Sequence, residues 1–542
     1  MRQWAVLLFI GVLSQTAVAV EGISSGEVFE KLRKVAESAD DSTHVIVNAK
    51  LIRPSVDTQA EAQAKHRNKI FGHIVVSKGT IDEVIEGMPL GERQIQALKF
   101  RGLGLMNLMG KYLMPGMHDL HVHNYGMNAD LPNSPIYDEN GDRLEHLDNP
   151  GMEAMNYRMA YGGLTTHLDL NAFNRDLKVM RDEQRTANQD PGSVESPQSN
   201  IYMTGGIFTA ETSHHSDLTW LVGGERHVGI EISRKDVLEE PDPELRYQKF
   251  YNIMKDHIEE FSPTGIKISY DHNPHRPGTK EIYNFDRTHL RDMIRSVREI
   301  QPDLKVICHV GVWMDLIECM EEGADAVTHL PYSYWRDKYY AIPDGIFEKM
   351  KEHDLTVIPT MTVYMEGGLA KSSLFDVTFE VKSCEPSDEN CICDADVCTT
   401  RIESGMLNGN RHFFDDSLLN EVAPKRLLDS YFDFEQYRGN SWLQWGVDHN
   451  RMGYRLLTFK LLMGSGVRVL LGTDTMWEAT FFGFSHHREL ELMMLSNNTQ
   501  KAPKRMITEM EALATTTSRV HEFLGHNRGQ IQPGFAADLV AL

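Results

Sequence analysis

The chain has 542 residues, of which 41% are hydrophobic and 25% charged, and its 55 Lys and Arg against 78 Asp and Glu give a net charge of −23. This composition is typical of a globular protein and excludes wholesale disorder. The negative charge argues against nucleic acid or an anionic membrane as the main partner, because the long-range field repels both. The length exceeds that of one ordinary domain, so we expect a large core with an appended part.

The N-terminus has the pattern of a secretory signal peptide. Arg2 precedes an apolar run from Trp4 to Leu13, and Ala17-Val18-Ala19 supplies the small residues of a signal peptidase site. The run is about half the length that a bilayer-spanning helix needs. We therefore predict a signal peptide over residues 1–19, export to the periplasm or the extracellular space, and no membrane span after cleavage. An uncleaved N-terminal anchor is the alternative.

Strand-rich segments follow at residues 45–54 and 72–86, and residues 529–542 have a similar character. Between them, apolar strands alternate with helical stretches such as 246–261, 287–300, 312–323 and 452–463. We predict eight strands, around 117–123, 164–170, 201–207, 266–270, 304–310, 326–330, 355–361 and 467–474. Strict alternation implies parallel strands with right-handed crossovers, and eight repeats suit a closed (β/α)8 TIM barrel. An open doubly wound sheet is the alternative, but no Gly-rich dinucleotide loop follows the first strand.

A long insertion, at about residues 365–450, separates the seventh and eighth strands. Because it follows a barrel strand, it should overhang the face where barrel enzymes have their active sites. We expect a lid or substrate wall, with a surface excursion as the alternative.

Four of the six cysteines crowd into this insertion: Cys384, Cys391, Cys393 and Cys398. In an oxidising compartment they predict a loop closed by two disulfides, and all three pairings are open. A structural zinc site is the alternative, although the spacing lacks the two Cys-x2-4-Cys pairs that such sites usually have. We interpret the acidic residues between the cysteines as a solvated loop rather than a calcium site. Cys308 and Cys319 lie apart and are predicted to be buried thiols.

The sharpest chemical signal is LMPGMHDLHVH at residues 113–123. Alternation along a strand predicts that Asp119, His121 and His123 point the same way, so the two imidazoles can bind one metal ion. A lone His-x-His is weak, but the end of a barrel strand is the place for such a site. Asp119 is a candidate to support the ligands.

Later strands carry further candidates. The fourth contains Lys267, the fifth and sixth end at His309 and His329, and the eighth ends at Asp474. A buried lysine is costly unless it is paired or neutralised. Reaction with CO2 to form a carbamate is one solution, and a salt bridge to Asp119 or Asp474 is the alternative.

Together these motifs resemble the amidohydrolase superfamily, specifically its imidazolonepropionase-like and Xaa-Pro dipeptidase-like branch. The resemblance covers roughly residues 45–542 with insertions. It rests on KYLMPGMHDLHVH, GGLTTHLDL, GIKISY, CHVGVWMDLIECMEEGADAVTHL, LTVIPTMTVY, VLLGTDT, HHRELELM and GQIQPGFAADLVAL. It implies a barrel over residues 115–525 and a small composite β-sandwich built from residues 20–114 and 526–542.

The resemblance also implies six metal ligands: His121, His123, Lys267, His309, His329 and Asp474. The two histidines of the first strand and the aspartate would bind the more buried ion, the other two histidines the second, and the carbamylated lysine would bridge them. Two divalent cations are implied, zinc first with manganese or cobalt as alternatives, together with CO2. They would activate a bridging water, and Asp474 would shuttle its proton to the leaving nitrogen.

Two departures limit the resemblance. The loop TGGIFTAETSHHSD lacks the Gly-Gly-His ending of this branch, which leaves the substrate contacts unassigned. His214 and His215 in this loop could contact substrate, although solvated loop histidines are the favoured interpretation. Tyr332, Tyr334, Tyr364 and Trp477 could line the pocket, with ordinary packing as the alternative. The sequence also stops at Leu542, where the superfamily continues into further sandwich strands, so we expect a truncated or smaller sandwich.

The leading hypothesis is an exported metal-dependent hydrolase of amide or peptide-like C–N bonds, with a dipeptide or an N-acyl amino acid as substrate. The same site could instead hydrolyse a lactone or phosphoester, or catalyse decarboxylation or isomerisation, because the fold does not determine the reaction. A hypothesis of another class is a secreted binding protein on a retired enzyme scaffold.

Overall fold

The computed structural model describes residues 22–124, 150–171, 175–187, 198–211, 213, 229–272, 284–331, 342–364, 377–383, 392–394, 397–406, 418, 421, 449–475, 480–498 and 506–542. The chain divides into two compact units. The first comprises Met1–Met114, Ile531–Ala537 and Ala541–Leu542, and the second comprises Pro115–Gln530 and Asp538–Val540.

The first unit is built on a mixed sheet. Its elements are α1 Ser25–Ser38, β1 Thr43–Leu51, α2 Gln59–Arg67, β2 Phe71–Ser77, β3 Thr80–Gly87, α3 Glu92–Phe100, β4 Gly104–Asn107 and β5 Tyr112–Pro115. Strands β1, β2 and β3 are antiparallel neighbours, and β4 and β5 both pair with β1 in parallel. The Ser24 hydroxyl caps the first helix by accepting from the N–H of Glu27. The core is apolar and includes Val28, Leu32 and Val45, all fully buried.

The second unit alternates strands and helices. Its elements up to residue 358 are β6 Met117–Val122, α4 Pro150–Tyr161, β7 Leu164–Asp169, α5 Arg175–Ala187, β8 Asn200–Met203, β9 Ile207–Ala210, β10 Gly229–Ile232, α6 Pro243–Phe261, β11 Gly265–Ser269, α7 Arg287–Ile300, β12 Lys305–His309, α8 Trp313–Glu321, β13 Ala326–Thr328, α9 Ile346–Glu352 and β14 Thr356–Ile358. Those after it are β15 Val377–Ser383, β16 Ile392–Asp394, β17 Val397–Met406, α10 His449–Ser465, β18 Arg468–Val469, α11 Ser485–Leu495, α12 Glu509–Thr515 and α13 Ser518–Leu524. The last strand, β19 Leu539–Ala541, lies beside β5 in the sheet of the first unit. A short π-helix spans Arg234–Leu238, and 3-10 turns span Thr362–Tyr364 and Ser496–Asn498.

The predicted alternation of parallel strands and helices is confirmed. One sheet has the order β10-β9-β11-β12-β13-β14-β18, a second has the order β6-β7-β8, and every pairing in both is parallel. The third predicted strand is broken into β8 and β9, and the eighth is reduced to Arg468–Val469. The fold is therefore mixed α/β with parallel sheets.

Backbone hydrogen bonds join these two sheets at both sides. The N–H of Leu120 donates to the carbonyl of Leu471 at 2.9 Å, and the N–H of Asp474 donates to the carbonyl of His121 at 2.7 Å. On the other side, the N–H of Thr264 donates to the carbonyl of Met203 at 2.8 Å. The end of the predicted first strand therefore lies beside the end of the eighth.

Apolar side chains from successive strands form one buried cluster. Its members are Leu120, Leu168, Leu170, Ile307, Ala326, Ile358, Leu470, Val520 and Phe523. Several of them shortly precede a predicted ligand in the chain, as Leu120 precedes His121 and Ile307 precedes His309. Burial of this cluster gives the strand ends a close-packed support.

Part of the predicted insertion folds as a sheet. Strands β15, β17 and β16 form three antiparallel neighbours, in which Cys393 pairs in register with Cys398. Cys384 and Cys391 lie outside the described residues, so the disulfide and zinc alternatives stay predictions. Cys308 and Cys319 are buried free thiols, as predicted.

Residues 1–21, which contain the predicted signal peptide, lie outside the described part of the chain. In the part that the structure describes, no helix is both long and apolar enough to cross a membrane.

Two glycines allow helix α11 to pack closely on the turn between α4 and β7. A Cβ on Gly162 would lie 2.0 Å from the carbonyl oxygen of Gly483, and a Cβ on Gly483 would lie 2.2 Å from that of Arg158. His486 and His487 at the start of the helix both direct Nε2 at the carbonyl of Gly162, at 3.0 and 2.7 Å. These contacts determine where the buried face of α11 lies.

We expect Gly483→Ala to destabilise the protein more than Gly466→Ala. Both glycines have a positive φ, of 79° and 83°, so each alanine costs about 1 kcal/mol of backbone strain. Only at Gly483 does the new methyl group meet backbone, since nothing lies within 4 Å of a Cβ on Gly466. That clash adds ~1–3 kcal/mol. Urea unfolding measures both free energies, and equal losses would contradict the proposed close approach.

Candidate metal centre

Three ligand candidates meet where β6 lies beside the segment after β18. His121 and His123 direct their Nε2 atoms at one another, 3.1 Å apart. The Oδ1 atom of Asp474 lies 2.7 Å from Nε2 of His123 and 3.1 Å from Nε2 of His121. All three side chains are buried. The bond from the N–H of Asp474 to the carbonyl of His121 holds the two segments together.

These three atoms fit a divalent cation. A proton between two of them satisfies one pair only, whereas a cation accepts a lone pair from all three. Neutral imidazole and carboxylate are donors that zinc prefers and that manganese and cobalt also accept. The donor set therefore suits a metal ion better than it suits a hydrogen-bonded cluster.

A second pair of histidines lies next to this group. Nε2 of His329 is 2.9 Å from Nδ1 of His309, and both side chains are buried. The ring centroid of His329 is 5.2 Å from that of His121. Ligand atoms of His121, His329 and Asp474 all lie within 4.8 Å of one another. The two groups of ligands therefore form one continuous cluster.

Lys267 is almost fully buried, with 1% of its surface exposed. Its Nζ donates to Oγ1 of Thr328 at 2.5 Å, and no carboxylate in the described part of the chain pairs with it. Burial lowers the pKa of the amine to about 7, although Asp474 opposes this shift. The salt bridge to Asp119 or Asp474 that the sequence left open is therefore absent among the described residues.

The electrostatics of the cluster favour neutral forms of His121 and His329 beside an ionised aspartate. Burial lowers the pKa of His121 to about 3, and burial followed by the neighbouring His309 holds that of His329 well below its usual range. Burial alone would raise the pKa of Asp474, but the adjacent His121 and His123 hold it well below its usual value. These are the protonation states that a metal ligand needs.

Two of the predicted ligands have unusual backbone conformations. His329 has a φ of 73° and Asp474 a φ of 58°, and Thr360 beside His329 has a φ of 47°. Such conformations cost of the order of 1–3 kcal/mol each for residues other than glycine, and they persist where the surroundings hold them. All three residues lie shortly after a short parallel strand of the second unit, namely β13, β14 and β18.

Asp119 supports two ligand-bearing segments through their backbone. Its Oδ1 accepts from the N–H groups of His121, at 3.0 Å, and Thr473, at 3.1 Å, and its Oδ2 accepts from the Thr473 hydroxyl at 2.6 Å. The pairing of β6 with β7 shifts register between Asp119 and Val122, so the simple alternation predicted for this strand is interrupted. Burial raises the pKa of Asp119 to about 7.

Sequence patterns missed the residues that hold His329. Nδ1 of His329 lies 2.7 Å from Oγ1 of Thr360, and the loop after Thr360 is bound by the buried carboxylate of Glu489. The motif HHRELELM contains Glu489, but its helical spacing does not indicate what that side chain contacts.

The predicted pocket residues are not placed. His214, His215, Tyr332, Tyr334 and Trp477 lie outside the described residues, and so does the side chain of Tyr364.

Comparison with known proteins gives matches among solved structures. An amidohydrolase is 16% identical, with a TM-score of 0.54 and 92% of both chains covered. An Xaa-Pro dipeptidase with methionine bound in its active site is 15% identical, with a TM-score of 0.55 and coverage of 92% of this chain and 94% of that one. The ochratoxinase of A. niger is 16% identical, with a TM-score of 0.53 and coverage of 92% and 89%.

No family model and no curated protein sequence matches the chain. At these identities the likeness concerns the fold. The chain therefore has the fold of the amidohydrolases, which it shares with an Xaa-Pro dipeptidase and an ochratoxinase.

Proposed function

We propose that this chain is an exported, metal-dependent amidohydrolase that cleaves an amide or peptide-like C–N bond in a small substrate. The observation that carries the proposal is the convergence of His121, His329 and Asp474, whose ligand atoms lie within 4.8 Å of one another. His123, His309 and Lys267 carry the remaining predicted donor groups, and all of them are buried.

The proposal includes a closed (β/α)8 barrel over residues 115–525, followed by residues 526–542 that complete a small β-sandwich with residues 20–114. Parallel pairing along both sheets of the second unit supports the barrel, as do the backbone bonds between Leu120 and Leu471 and between Thr264 and Met203. In such a barrel the carboxyl ends of the strands form one face, where active sites lie.

Two metal ions fit the donor set, with zinc as the first choice. His121, His123 and Asp474 would hold one ion, and His309 and His329 would hold the second. When bound, such ions lower the pKa of a water molecule towards neutral pH and polarise a carbonyl group. The close approach of Nε2 of His329 to Nδ1 of His309, at 2.9 Å, supports the second position.

Lys267 is proposed to link the two positions as a carbamate formed with CO2. Its pKa of about 7 leaves a substantial fraction of the amine unprotonated near neutral pH, which is the form that reacts. Among the described residues, the buried ammonium group of Lys267 has no carboxylate partner. The carbamate would be an anion instead, and the metal ions would be its partners.

Asp474 is proposed to move the proton. Its ionised carboxylate accepts the proton of the attacking water as the oxygen bonds to the carbonyl carbon, and then gives it to the leaving nitrogen as the C–N bond breaks. The contacts to His121 and His123, at 3.1 and 2.7 Å, orient the carboxylate for this transfer.

A dipeptide or an N-acyl amino acid is the proposed substrate class. The support is one solved structure with the same fold, an Xaa-Pro dipeptidase that holds methionine in its active site. Export rests on the signal-like N-terminus with Arg2, the apolar run from Trp4 to Leu13 and Ala17-Val18-Ala19.

We expect about two zinc equivalents per chain when the protein is purified in bicarbonate without chelators, and about one for Lys267→Met. The substitution keeps an unbranched side chain of similar length but cannot form the carbamate that joins the two positions. Plasma mass spectrometry measures the content. Two equivalents in both proteins would contradict a bridging role for Lys267, and none in the wild type would overturn the metal-dependent function.

We expect Asp474→Asn to lower kcat about 10²–10⁴-fold on any dipeptide or N-acyl amino acid that the wild type cleaves, because the amide cannot take up the proton. Asp354→Asn is the matched control, since that carboxylate is largely exposed and pairs with Arg468. Its kcat should equal that of the wild type. Steady-state kinetics measures kcat, and the metal content of each variant is determined in parallel. Full activity of Asp474→Asn would exclude the proposed proton transfer.

A further inference from the structure

The ring of His329 is held from the side that faces away from the candidate metal centre. Its Nε2 faces His309, while its Nδ1 lies 2.7 Å from the hydroxyl oxygen of Thr360. A histidine that binds a metal through Nε2 carries its proton on Nδ1 and donates it to a partner. The Thr360 hydroxyl is in the place of that partner.

Thr360 does not hold this position through its own backbone preference. Its φ is 47°, a left-handed conformation that a β-branched residue rarely adopts. The residue also lies two positions after the end of the short strand β14, outside any helix or strand. Contacts from elsewhere in the fold must therefore hold this turn in place.

Those contacts come from Glu489 on helix α11. Its Oε1 accepts from the N–H of Met361 at 2.8 Å, and its Oε2 accepts from the N–H of Thr362 at 2.7 Å. The hydroxyl of Thr362 donates to the same Oε2. Glu489 is completely buried, and both of its oxygens bind the two residues that follow Thr360.

We propose that Glu489 is a positioning residue for His329: by binding the backbone of Met361 and Thr362 it fixes Thr360, whose hydroxyl orients the imidazole towards the second metal position. The inference rests on the proposed function, because it takes His329 as a ligand. It adds a residue more than one hundred positions away in the chain, on a helix that contributes no ligand.

The first test compares Glu489→Gln with Asp325→Asn. The glutamine has one acceptor oxygen and a donor in place of the other, so one of the two N–H groups loses its partner. Asp325 also accepts from a backbone N–H, that of Val306 at 2.7 Å, but it lies at the opposite end of the strand that leads to His329. Both substitutions are expected to lower the melting temperature, whereas only Glu489→Gln should affect the candidate metal centre.

We expect Glu489→Gln to weaken the affinity for the second zinc equivalent about 10–100-fold, the usual effect of losing a group that supports a ligand. Asp325→Asn should bind both equivalents as the wild type does. Competition with a chromophoric chelator measures the two dissociation constants, and the visible spectrum of the cobalt-loaded protein reports the change in coordination. Unchanged affinity and spectrum in Glu489→Gln would overturn the inference.

Thr360 offers a test that does not depend on how Glu489→Gln folds. Thr360→Val keeps the shape but removes the hydroxyl, and Thr360→Ser keeps the hydroxyl. The valine variant should show the same weakening as Glu489→Gln, and the serine variant should restore affinity to within a few-fold of the wild type. Equal behaviour of the serine and valine variants would count against the proposed chain of contacts.

A readout without metal separates this inference from the proposed function. In metal-free protein with ¹⁵N-labelled histidine, the His329 signals, assigned by their loss in His329→Gln, should report a proton on Nδ1. Thr360→Val and Glu489→Gln should shift them towards a mixture of tautomers, while Thr360→Ser should not. If the wild type binds no metal but the two variants show these shifts, the proposed function is overturned and the positioning role stands. Unshifted signals in both variants would overturn the positioning role.

Discussion

The structure depends on one electrostatic constraint, the burial of two imidazoles and a carboxylate side by side. Nε2 of His121, Nε2 of His123 and Oδ1 of Asp474 lie 2.7 to 3.1 Å apart. Burial lowers the pKa of His121 to about 3, and against the effect of burial the adjacent His121 and His123 hold the pKa of the Asp474 carboxylate well below its usual value. Such a group is costly to bury unless something satisfies it, and a divalent cation does so for all three atoms.

The segments that carry the predicted ligands include backbone conformations that are unfavourable for residues other than glycine. His329 and Asp474 both have positive φ values, and so does Thr360. Buried carboxylates outside the ligand set bind the neighbouring segments: Asp119 binds the N–H groups of His121 and Thr473, and Glu489 binds those that follow Thr360. Each joins parts of the chain more than one hundred residues apart, so local strain is stabilised by long-range hydrogen bonds.

The sequence predicted the elements well, because apolar periodicity is a local property. The helix predicted at 287–300 is observed at Arg287–Ile300, and the strand predicted at 266–270 at Gly265–Ser269. The predictions of secondary structure were less accurate where a strand is interrupted or where the chain carries an insertion. The strand predicted at 201–207 is broken before Ile207, and the insertion contains an antiparallel sheet that no pattern indicated. The hydrogen-bond partner of Lys267 was also not predictable, because it lies on another strand.

By itself the sequence determined which residues stand at the ends of the strands, and therefore that His121, His309, His329 and Asp474 are candidates for one centre. Periodicity and chemical type are sufficient for that. Only the tertiary structure decided that Nζ of Lys267 donates to Thr328, and that Glu489 binds the backbone of Met361 and Thr362. The physical reason is that a buried polar side chain takes the partner that packing brings within hydrogen-bond distance, and packing joins residues that sequence spacing does not relate.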